Sequence, residues 1–428
     1  MVMKPAPRRE FLSKSLKGVL AFSIVPRVVL GGEGYVSPSD RITLGIIGTG
    51  KQSAGLASRF VENKEVSLIA ACDVFKEKLQ WFKAFIDKKQ KGSRSLKGID
   101  TYEEYEKIVA RKDIDGVIVT TPDHWHAKIA ISAVKMGKDV YCEKPLTHTI
   151  QEGKDLVKAV REEKRILQTG SMQRSRKNFR HACELVRNGY LGDIKKVIVS
   201  VGDPAIPNDL TKEELPTGLN WEKWCGPSVL SPYNAILAPP YREDMPWPMW
   251  RKYQEYGGGI LADWGAHMFD IAQWGLGMDH SGPSILLPPN DETAVRGLKM
   301  VYDNGVEMIH EDFGRGHAVR FIGTEGSLDV SRGFLDSNPT SIAKAKIGEG
   351  AKRLYRSDDH VADWIQAIKK REDPVCNVET GHRSASVCNL ANIAYKLHRP
   401  LKWDPVKEKF MDDGEADELQ AYQYRKPY

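Results

Sequence analysis

Short apolar runs alternate with longer amphipathic stretches from Arg41 to about Gly170. Strands that alternate with helices of this length predict crossover connections and a parallel sheet covered by helices on both faces. The predicted strands are Ile42–Ile47, Val66–Cys72, Gly116–Thr120, Asp139–Cys142 and Ile166–Thr169. The predicted helices are Lys51–Glu62, Lys76–Lys88, Tyr102–Ala110, His126–Met136 and Ile150–Glu163. We therefore expect an α/β domain of the doubly wound (Rossmann) type over residues 41–170.

The pattern changes after Gly170, where strand candidates dominate and turn signals such as Asp303-Asn304-Gly305 favour antiparallel pairing. The predicted strands are Lys196–Val201, Pro283–Leu287, Thr293–Tyr302, Gly305–His310, His317–Ile322 and Leu328–Val330. The predicted helices are Asn178–Asn188, His360–Lys370 and Gly381–His398. This pattern predicts an α+β domain with a largely antiparallel sheet over residues 171–404, followed by a C-terminal tail over residues 405–428.

Composition narrows the class of protein. A chain of 428 residues with 41% hydrophobic and 28% charged residues is typical of a soluble globular protein of two or three domains. The six cysteines form no C-x-x-C pair, so we predict neither a disulfide framework nor a zinc site. Of the formal net charge of +6, the first 30 residues contribute all but +1. The remainder therefore lacks the basic surface that nucleic acid binding requires.

The N-terminal residues 1–32 combine the run Arg8-Arg9-Glu10-Phe11-Leu12 with a modest apolar stretch, Gly18 to Val25. This combination resembles a twin-arginine export signal, and the alternative is a disordered basic tail. Pro26 and Arg27 interrupt the apolar stretch, which is too short to span a membrane. We expect an exported, periplasmic protein, or a cytoplasmic one if the segment is not a functional signal.

A glycine loop follows the first strand. Gly48 permits a tight turn, and Gly50 lets the backbone around Thr49 approach a pyrophosphate, whose charge the next helix N-terminus stabilises. Ser53 stands where the third glycine of this motif is usual. Asp73 ends the second strand, where its carboxylate can bind ribose hydroxyls and repel a 2′-phosphate. The pattern predicts NAD rather than NADP, with a helix N-cap as the alternative role for Asp73.

Lys144 lies in the tripeptide Glu143-Lys144-Pro145, directly after the strand candidate Asp139–Cys142. Ligands bind outside the carboxyl ends of the strands in open parallel sheets, so this lysine is placed to meet a cofactor and a substrate. The alternative is a surface lysine at a turn, because Lys-Pro is common in turns.

The glycine loop, Glu143-Lys144-Pro145 and two further segments resemble the glucose-fructose oxidoreductase and inositol dehydrogenase family, Gfo/Idh/MocA. The further segments are Thr120-Thr121-Pro122-Asp123-His124-Trp125-His126 and Gly257-Gly258-Gly259-Ile260-Leu261-Ala262-Asp263-Trp264-Gly265-Ala266-His267. The family usually has Asn at the position of Asp123. The resemblance implies that Thr121, Pro122, His126 and Glu143 line the cofactor cleft. It also implies a homo-oligomer, a dimer or tetramer.

The same resemblance assigns Lys144, Asp263 and His267 to the reacting centre. Asp263 and His267 lie four residues apart in a helical pattern, so both side chains project from one face. His267 can accept a hydroxyl proton while Asp263 orients the imidazole and Lys144 stabilises the alkoxide. A surface ion pair is one alternative. A metal site that adds His124 and His126 is another, but we predict no metal.

Six tryptophans fall within the 54 residues that end at Trp274, and they are interleaved with tyrosines. They are Trp221, Trp224, Trp247, Trp250, Trp264 and Trp274. Aromatic faces stack on sugar rings, so the cluster is compatible with a carbohydrate pocket. Ordinary core or interface packing explains it equally well. Only Trp264, inside the Gly257–His267 motif, is predicted to contact substrate.

Three functions are compatible with these residues. The first is an NAD-dependent oxidoreductase that takes hydride from a sugar or polyol hydroxyl. The second is a redox-neutral glycosidase, in which oxidation acidifies a neighbouring C–H, elimination follows and the hydride is returned. The third is a non-catalytic carbohydrate- or cofactor-binding protein. Export favours a protein that keeps its NAD bound, because little free NAD exists outside the inner membrane.

Overall fold

The computed structural model describes residues 40–90, 98–240 and 246–428. The predicted export signal lies outside these residues. Within them, the first half forms a six-stranded parallel sheet with the order β3-β2-β1-β4-β5-β6. Its strands are β1 (Ile42–Ile47), β2 (Val66–Cys72), β3 (Asp100–Tyr102), β4 (Gly116–Val119), β5 (Asp139–Cys142) and β6 (Leu167–Thr169). This strand order is that of a dinucleotide-binding fold.

Helices cover both faces of this sheet, which explains why β4 and β5 are buried and apolar throughout. The helices are α1 (Lys51–Glu62), α2 (Lys76–Gln90), α3 (Tyr105–Val109), α4 (Asp123–Lys135) and α5 (Ile150–Glu162). A helix from much later in the chain, α10 (His360–Lys370), packs Trp364 and Ile365 into the core between α1 and the sheet. Sequence order alone does not place that helix on the first domain.

The second half of the described chain forms a nine-stranded sheet with the order β13-β12-β11-β7-β10-β9-β8-β14-β15. All neighbouring strands are antiparallel except β7 and β10, which are parallel. The strands are β7 (Ile194–Ser200), β8 (Ile285–Leu287), β9 (Leu298–Val301), β10 (Glu307–His310), β11 (Ala318–Gly323), β12 (Gly326–Val330), β13 (Leu335–Asn338), β14 (Leu401–Asp404) and β15 (Lys409–Phe410). The predicted α/β plus α+β fold class is confirmed.

Helices on one side of this sheet complete its core. They are α6 (Lys177–Arg187), α8 (Gly259–Leu276), α9 (Ser341–Lys344), α11 (Val378–Leu397) and α12 (Gly414–Glu418), whereas α7 (Trp221–Cys225) belongs to a separate aromatic core. The central pair is α8 and α11, whose apolar residues join those of the strands in one cluster. Because α8 is apolar on nearly all sides, it lies inside the molecule and brings its first turns to the junction between the two sheets.

Some predicted elements differ from the structure. The stretch predicted as the start of one helix, Tyr102–Ala110, holds the last residue of β3 before α3 begins at Tyr105. The predicted strand Thr293–Tyr302 begins only at Leu298, because Asp291 accepts hydrogen bonds from the main chain and side chain of Thr293 and forms a turn. Residues 405–428, predicted as a tail, contribute β15 and α12.

Residues 203–240 and 246–257 are largely irregular apart from α7, and part of this segment lies against the carboxyl end of β2. Leu219 forms a β-bridge with Phe75, and the main-chain N–H of Asn220 donates to the carbonyl oxygen of Val74 at 2.9 Å. The tryptophans Trp221, Trp224 and Trp250 are buried in an aromatic core of their own, together with Phe75. Trp224 and Trp250 also line the cavity described below, as do Trp247 and Trp264, so the tryptophan-rich stretch contributes both to a packed core and to a pocket wall.

Candidate active site

The glycine loop leaves room for a diphosphate. Gly48 has φ of +92°, and a Cβ there would lie 2.7 Å from the main chain of Thr120 and Thr121, so only glycine fits. A Cβ on Gly50 would meet nothing within 4 Å, because this residue faces open space. The Ser53 hydroxyl donates to the Gly50 carbonyl at 2.6 Å, which shows how serine serves in the third position. The free N-terminus of α1 fits the charge of a pyrophosphate.

Asp73 is held rigidly at the end of β2. Its Oδ2 accepts hydrogen bonds from the main-chain N–H and the hydroxyl of Thr49 at 2.7 and 2.8 Å, and its Oδ1 accepts from the Phe75 N–H at 2.9 Å. A carboxylate has about four acceptor positions, so one remains for a ribose hydroxyl. Thr49 itself is buried and turned to Asp73, so it supports the cofactor site through the carboxylate.

The segment after β4 forms one wall of the cleft. Thr121 and Pro122 line the cavity, and the buried Thr121 hydroxyl has no partner among the described residues. Asp123 is buried, and burial raises the pKa of its carboxyl against the opposing charges of Lys144 and Arg251. A protonated Asp123 offers an O–H donor, which makes it chemically closer to the Asn that the family has there.

His124 and His126 lie in the first turn of α4, and their ring nitrogens face main-chain carbonyl oxygens. His124 contacts the carbonyls of Trp224 and Tyr256 at 3.0 and 3.3 Å, and His126 contacts those of Thr121 and Pro145 at 2.9 and 2.8 Å. Burial lowers the pKa of His126 to about 4, so the ring is neutral and donates to one carbonyl only. His126 thus ties the Lys144-Pro145 segment to the cleft wall.

Metal binding receives no support from this arrangement. In the ranges that the structure describes, no group of three or more His, Cys, Asp or Glu side chains is placed to hold a metal ion.

Lys144 and Asp263 form a short ion pair between the two halves of the molecule. Lys144 Nζ donates to Asp263 Oδ1 at 2.5 Å and to the main-chain oxygen of Asp263 at 2.9 Å. Arg251 Nε donates to the same Oδ1 at 3.3 Å. Burial raises the pKa of Asp263, but the charges of Lys144 and Arg251 outweigh it and hold the pKa below its ordinary value. An ammonium has three donors, so Lys144 keeps one N–H for a ligand.

His267 lies one helical turn after Asp263 and is buried at the cavity wall. Its Nδ1 has no hydrogen-bond partner among the described residues. Burial lowers the pKa of His267 well below its ordinary value, and the charges of Lys144 and Arg332 add to the effect. The imidazole is therefore neutral and able to accept a proton. Asp263 binds Lys144 and Arg251, whereas the sequence interpretation had it orienting this imidazole.

The position of α8 depends on Gly259, which has φ of +76°. A Cβ there would lie 2.4 Å from the main-chain nitrogen of Ala205, so glycine allows the helix start to press against the chain that leaves β7. The Leu261 N–H then donates to the Asp203 carbonyl at 2.8 Å. This close approach fixes the turn that carries Asp263 and His267.

These residues surround one cavity of about 930 Å³. Its lining includes Gly48, Gly50, Asp73, Thr121, Pro122, His126, Glu143, Lys144, Asp263, Trp264 and His267. Thr49 is the only predicted site residue outside the lining. Glu143 accepts from Gln52 at 3.3 Å, and burial raises the pKa of its carboxyl. The cavity thus joins the glycine loop to the Lys144, Asp263 and His267 group.

Sequence reasoning missed Arg251 and Arg332, which line the cavity, and His317, which packs on the lining residue Trp264. Arg251 stacks on Trp250 at 4.2 Å, the His317 ring stacks on Trp264 at 3.9 Å, and Arg332 lies over Trp264 at 4.6 Å. None belongs to a recognisable motif. Arg251 lies in a short 3-10 helix, whereas His317 and Arg332 lie in loops, and all three are far along the chain from the glycine loop. Only the folded structure brings them together.

Within the described residues, no helix is long and apolar enough to cross a membrane.

Comparison with known proteins gives relatives over parts of the chain. A glycosyl hydrolase family 109 protein of Solibacter usitatus is 34% identical over 160 residues, which cover 36% of this chain and 36% of that protein. Inositol 2-dehydrogenase of Rhodococcus jostii is 25% identical over 173 residues, which cover 40% of this chain and 45% of that protein. The matches therefore span less than half of either relative.

Solved structures match over most of the chain. Scyllo-inositol dehydrogenase from Lactobacillus casei, solved with NAD(H) and scyllo-inositol, has a TM-score of 0.56 and 18% identity, and the match covers 85% of this chain and 99% of that one. At this identity the likeness shows the fold alone.

Two family descriptions match the sequence directly. Residues 42–171 match "Oxidoreductase family, NAD-binding Rossmann fold", and residues 185–428 match "Oxidoreductase family, C-terminal alpha/beta domain". Together with the shared fold, these matches show that the chain belongs to the Gfo/Idh/MocA oxidoreductase family.

Proposed function

We propose that this protein is an NAD-dependent oxidoreductase that takes a hydride from a hydroxyl-bearing carbon of a sugar or polyol. The observation that carries the proposal is the meeting of Lys144, Asp263 and His267 in the same cavity as the glycine loop and Asp73. The likeness to an inositol 2-dehydrogenase supports a polyhydroxylated substrate. When bound, NAD supplies the hydride acceptor.

The three side chains have complementary roles in this proposal. The free N–H of Lys144 donates to the reacting hydroxyl and stabilises negative charge on its oxygen. His267, neutral and without a partner at Nδ1, accepts the hydroxyl proton. Asp263 holds the ammonium of Lys144 in place at 2.5 Å. As the C–H bond breaks, its electron pair leaves as hydride, and the carbon becomes a carbonyl carbon.

The cofactor is proposed to be NAD rather than NADP. Asp73 at the end of β2 would face the adenosine ribose, and Glu103, Glu104 and Glu106 line the same cavity. These carboxylates would repel a dianionic phosphate. Lys78 and Lys223 also line this part of the cavity, so we expect a partial preference for NAD over NADP. We expect NAD to bind at least tenfold more tightly than NADP, as measured by titration of the purified protein.

The function is tested by incubating the purified protein with NAD and a panel of sugars and cyclitols while following NADH absorbance. Turnover of at least one compound, lost in Lys144→Met and retained in Lys138→Met, supports hydride transfer. Lys138 is a suitable control because it donates to the carbonyls of Arg111 and Ile114, away from the cavity. Equal turnover in both variants would mean that Lys144 takes no part in hydride transfer.

A second candidate is a redox-neutral glycosidase, which the 34% identity to a glycosyl hydrolase family 109 protein favours. In that reaction the oxidised sugar loses a proton next to the new carbonyl, the glycosidic group leaves, water adds, and the hydride returns to carbon. Export by the proposed N-terminal signal would suit a protein that recycles bound NAD. Release of the aglycone from an aryl glycoside without added NAD supports this candidate, whereas ketone formation that consumes NAD supports the dehydrogenase.

A further inference from the structure

Arg332 is a cation of the cavity lining that has no carboxylate partner among the described residues. It lies in the turn between β12 and β13 and is exposed at the cavity. The two other arginines of this sheet edge are both paired: Arg315 contacts Asp329 and Asp336, and Arg320 contacts Asp329. Arg332 therefore differs from both neighbouring arginines in having no carboxylate partner among the described residues.

The turn that carries Arg332 is fixed. Ser331 donates from its N–H to Phe334 at 3.0 Å and from its hydroxyl to the carbonyl of His317 at 2.8 Å, and its own carbonyl accepts from Asn178 at 2.7 Å. The guanidinium then lies 4.6 Å from the centre of a Trp264 ring. A side chain held in this way loses less conformational entropy when it binds a ligand.

The charged side chains around Arg332 carry more positive than negative charge. Lys144 and Arg251 share the single carboxylate of Asp263, and burial raises the pKa of the neighbouring Glu143 carboxyl. Burial lowers the pKa of Arg332, and the charge of Arg176 adds to the effect, whereas the more weakly acting carboxylates of Asp263 and Glu143 oppose it. A cation in such a place is stabilised by an anionic ligand.

We infer that the substrate is an acidic sugar or polyol, whose oxyanion substituent, a carboxylate or a sulfate ester, is bound by the guanidinium of Arg332. The planar fork of an arginine matches two oxygens of such a group. Trp264, which lines the cavity beside Arg332, would contact the ring carbons of the same sugar. This inference rests on the proposed function, because it places the sugar ring between Arg332 and Lys144.

Binding, rather than turnover, tests the inference. The NAD-saturated protein is titrated by calorimetry with matched compounds: glucose, glucuronate and glucose 6-sulfate, and galactose, galacturonate and galactose 6-sulfate. We expect at least one acid to bind tenfold or more tightly than its neutral counterpart. Arg332→Gln should weaken that acid by about 10- to 100-fold, as loss of charge-assisted hydrogen bonds implies. The neutral sugar and NAD should bind Arg332→Gln as they bind the wild type.

Two further variants sharpen the result. Arg332→Lys keeps the charge but loses the fork, so we expect an intermediate affinity for the acid. Arg356→Gln is the matched control, because Arg356 is exposed and pairs only with Asp358, away from the cavity. Melting temperatures of all variants confirm folding.

The inference is overturned if no acid binds better than its neutral counterpart, or if Arg332→Gln weakens acid and neutral sugar equally. A selective acid that binds but is never oxidised would leave this inference standing and reject the proposed hydride transfer.

Discussion

Two carboxylates on the same helix, Asp263 and Asp270, have different surroundings. They lie seven residues apart in α8, about two turns, and so project from nearly the same side. Asp270 is fully buried, and Arg174, only 2% exposed, donates to both of its oxygens at 2.8 to 3.0 Å. Ser384 and Asp279 complete that cluster. Asp263 instead faces the cavity, beside a lysine with a spare donor and a histidine with a free nitrogen.

The two clusters differ in whether any of their hydrogen-bonding groups remain without a partner among the described residues. The Arg174 cluster binds its charges to one another and is closed to ligands, as is typical of an ion pair that supports a fold. The Lys144 cluster leaves a donor at Lys144 and an acceptor at His267 directed at the same cavity. Unused hydrogen-bonding capacity at a cavity, rather than the presence of an ion pair, therefore identifies the reactive group.

The largest expected effect is that of Lys144→Met. We expect kcat to fall by about 10³-fold or more, because a donor to the developing alkoxide is removed. Asp263 retains its contact with Arg251, so the melting temperature should change little. Steady-state kinetics and thermal unfolding measure the two effects. A loss of stability without a loss of kcat in the folded enzyme would mean that Lys144, like Arg174, stabilises the fold and takes no part in catalysis.

Asp270→Ala should give the reverse pattern. Removal of this carboxylate leaves the buried Arg174 with Asp279 as its one carboxylate partner, and breaking a buried ion pair costs about 3–5 kcal/mol. Urea unfolding measures the free energy, and kcat of the remaining folded enzyme should stay within about twofold. The double variant Arg174→Met/Asp270→Leu should recover part of the stability. If Asp270→Ala abolished kcat in a stable protein, the two clusters would not be separate.

Sequence alone predicted one cluster and not the other. Asp263, His267 and Lys144 could be found because they lie in local motifs, whose spacing is set by a helix turn and a strand end. Arg174 and Asp270 carry no such local signal, because their partnership joins residues 96 positions apart through packing. The same reason explains why α10 could be predicted as a helix but not assigned to the first sheet.

The position of Arg332 shows this limit within the site itself. Its turn follows a strand that the sequence predicted, yet the loop geometry that directs Arg332 to Trp264 depends on hydrogen bonds from Asn178 and to His317. The glycine loop and Asp73, by contrast, were predictable because one short segment of chain contains nearly all of the required geometry. Long-range loop packing has no equivalent pattern in the sequence.

The pH dependence of catalysis should reflect His267, which lies beside Lys144 and Asp263 and not in the Arg174 cluster. The pKa of this imidazole lies well below 6.5, so it remains a neutral base as the pH falls through 6.5. We therefore expect the acid limb of kcat/KM, measured with NAD-saturated enzyme, to lie below pH 6.5. Arg332→Gln removes one of the charges that lower this pKa and should move the limb upward. An acid limb at or above pH 6.5 in the wild type would contradict the role of His267.

The same shift affects stability with a defined sign. Below pH 6.5 the histidine of the unfolded chain takes up a proton that the folded chain excludes, so stability falls as the pH drops from 6.5 towards the folded value. Buried His126 and His360, whose pKa values burial lowers to about 4, contribute in the same direction. Urea unfolding at pH 5 should show a loss of about 1–2 kcal/mol for each such histidine.

The smallest effect is expected for Ser384→Ala, which removes one contact from the closed cluster. The Ser384 hydroxyl donates to Asp270 Oδ1 at 2.6 Å and is buried, but the carboxylate keeps its bonds with Arg174. We expect a loss of about 1 kcal/mol in the free energy of unfolding and no change in kcat. Ser386→Ala on the same helix, which removes a 3.4 Å contact with His382, is the control and should cost less. A change in kcat from Ser384→Ala with stability intact would mean that the closed cluster acts on Asp263 through α8, because the two carboxylates share that helix and little else.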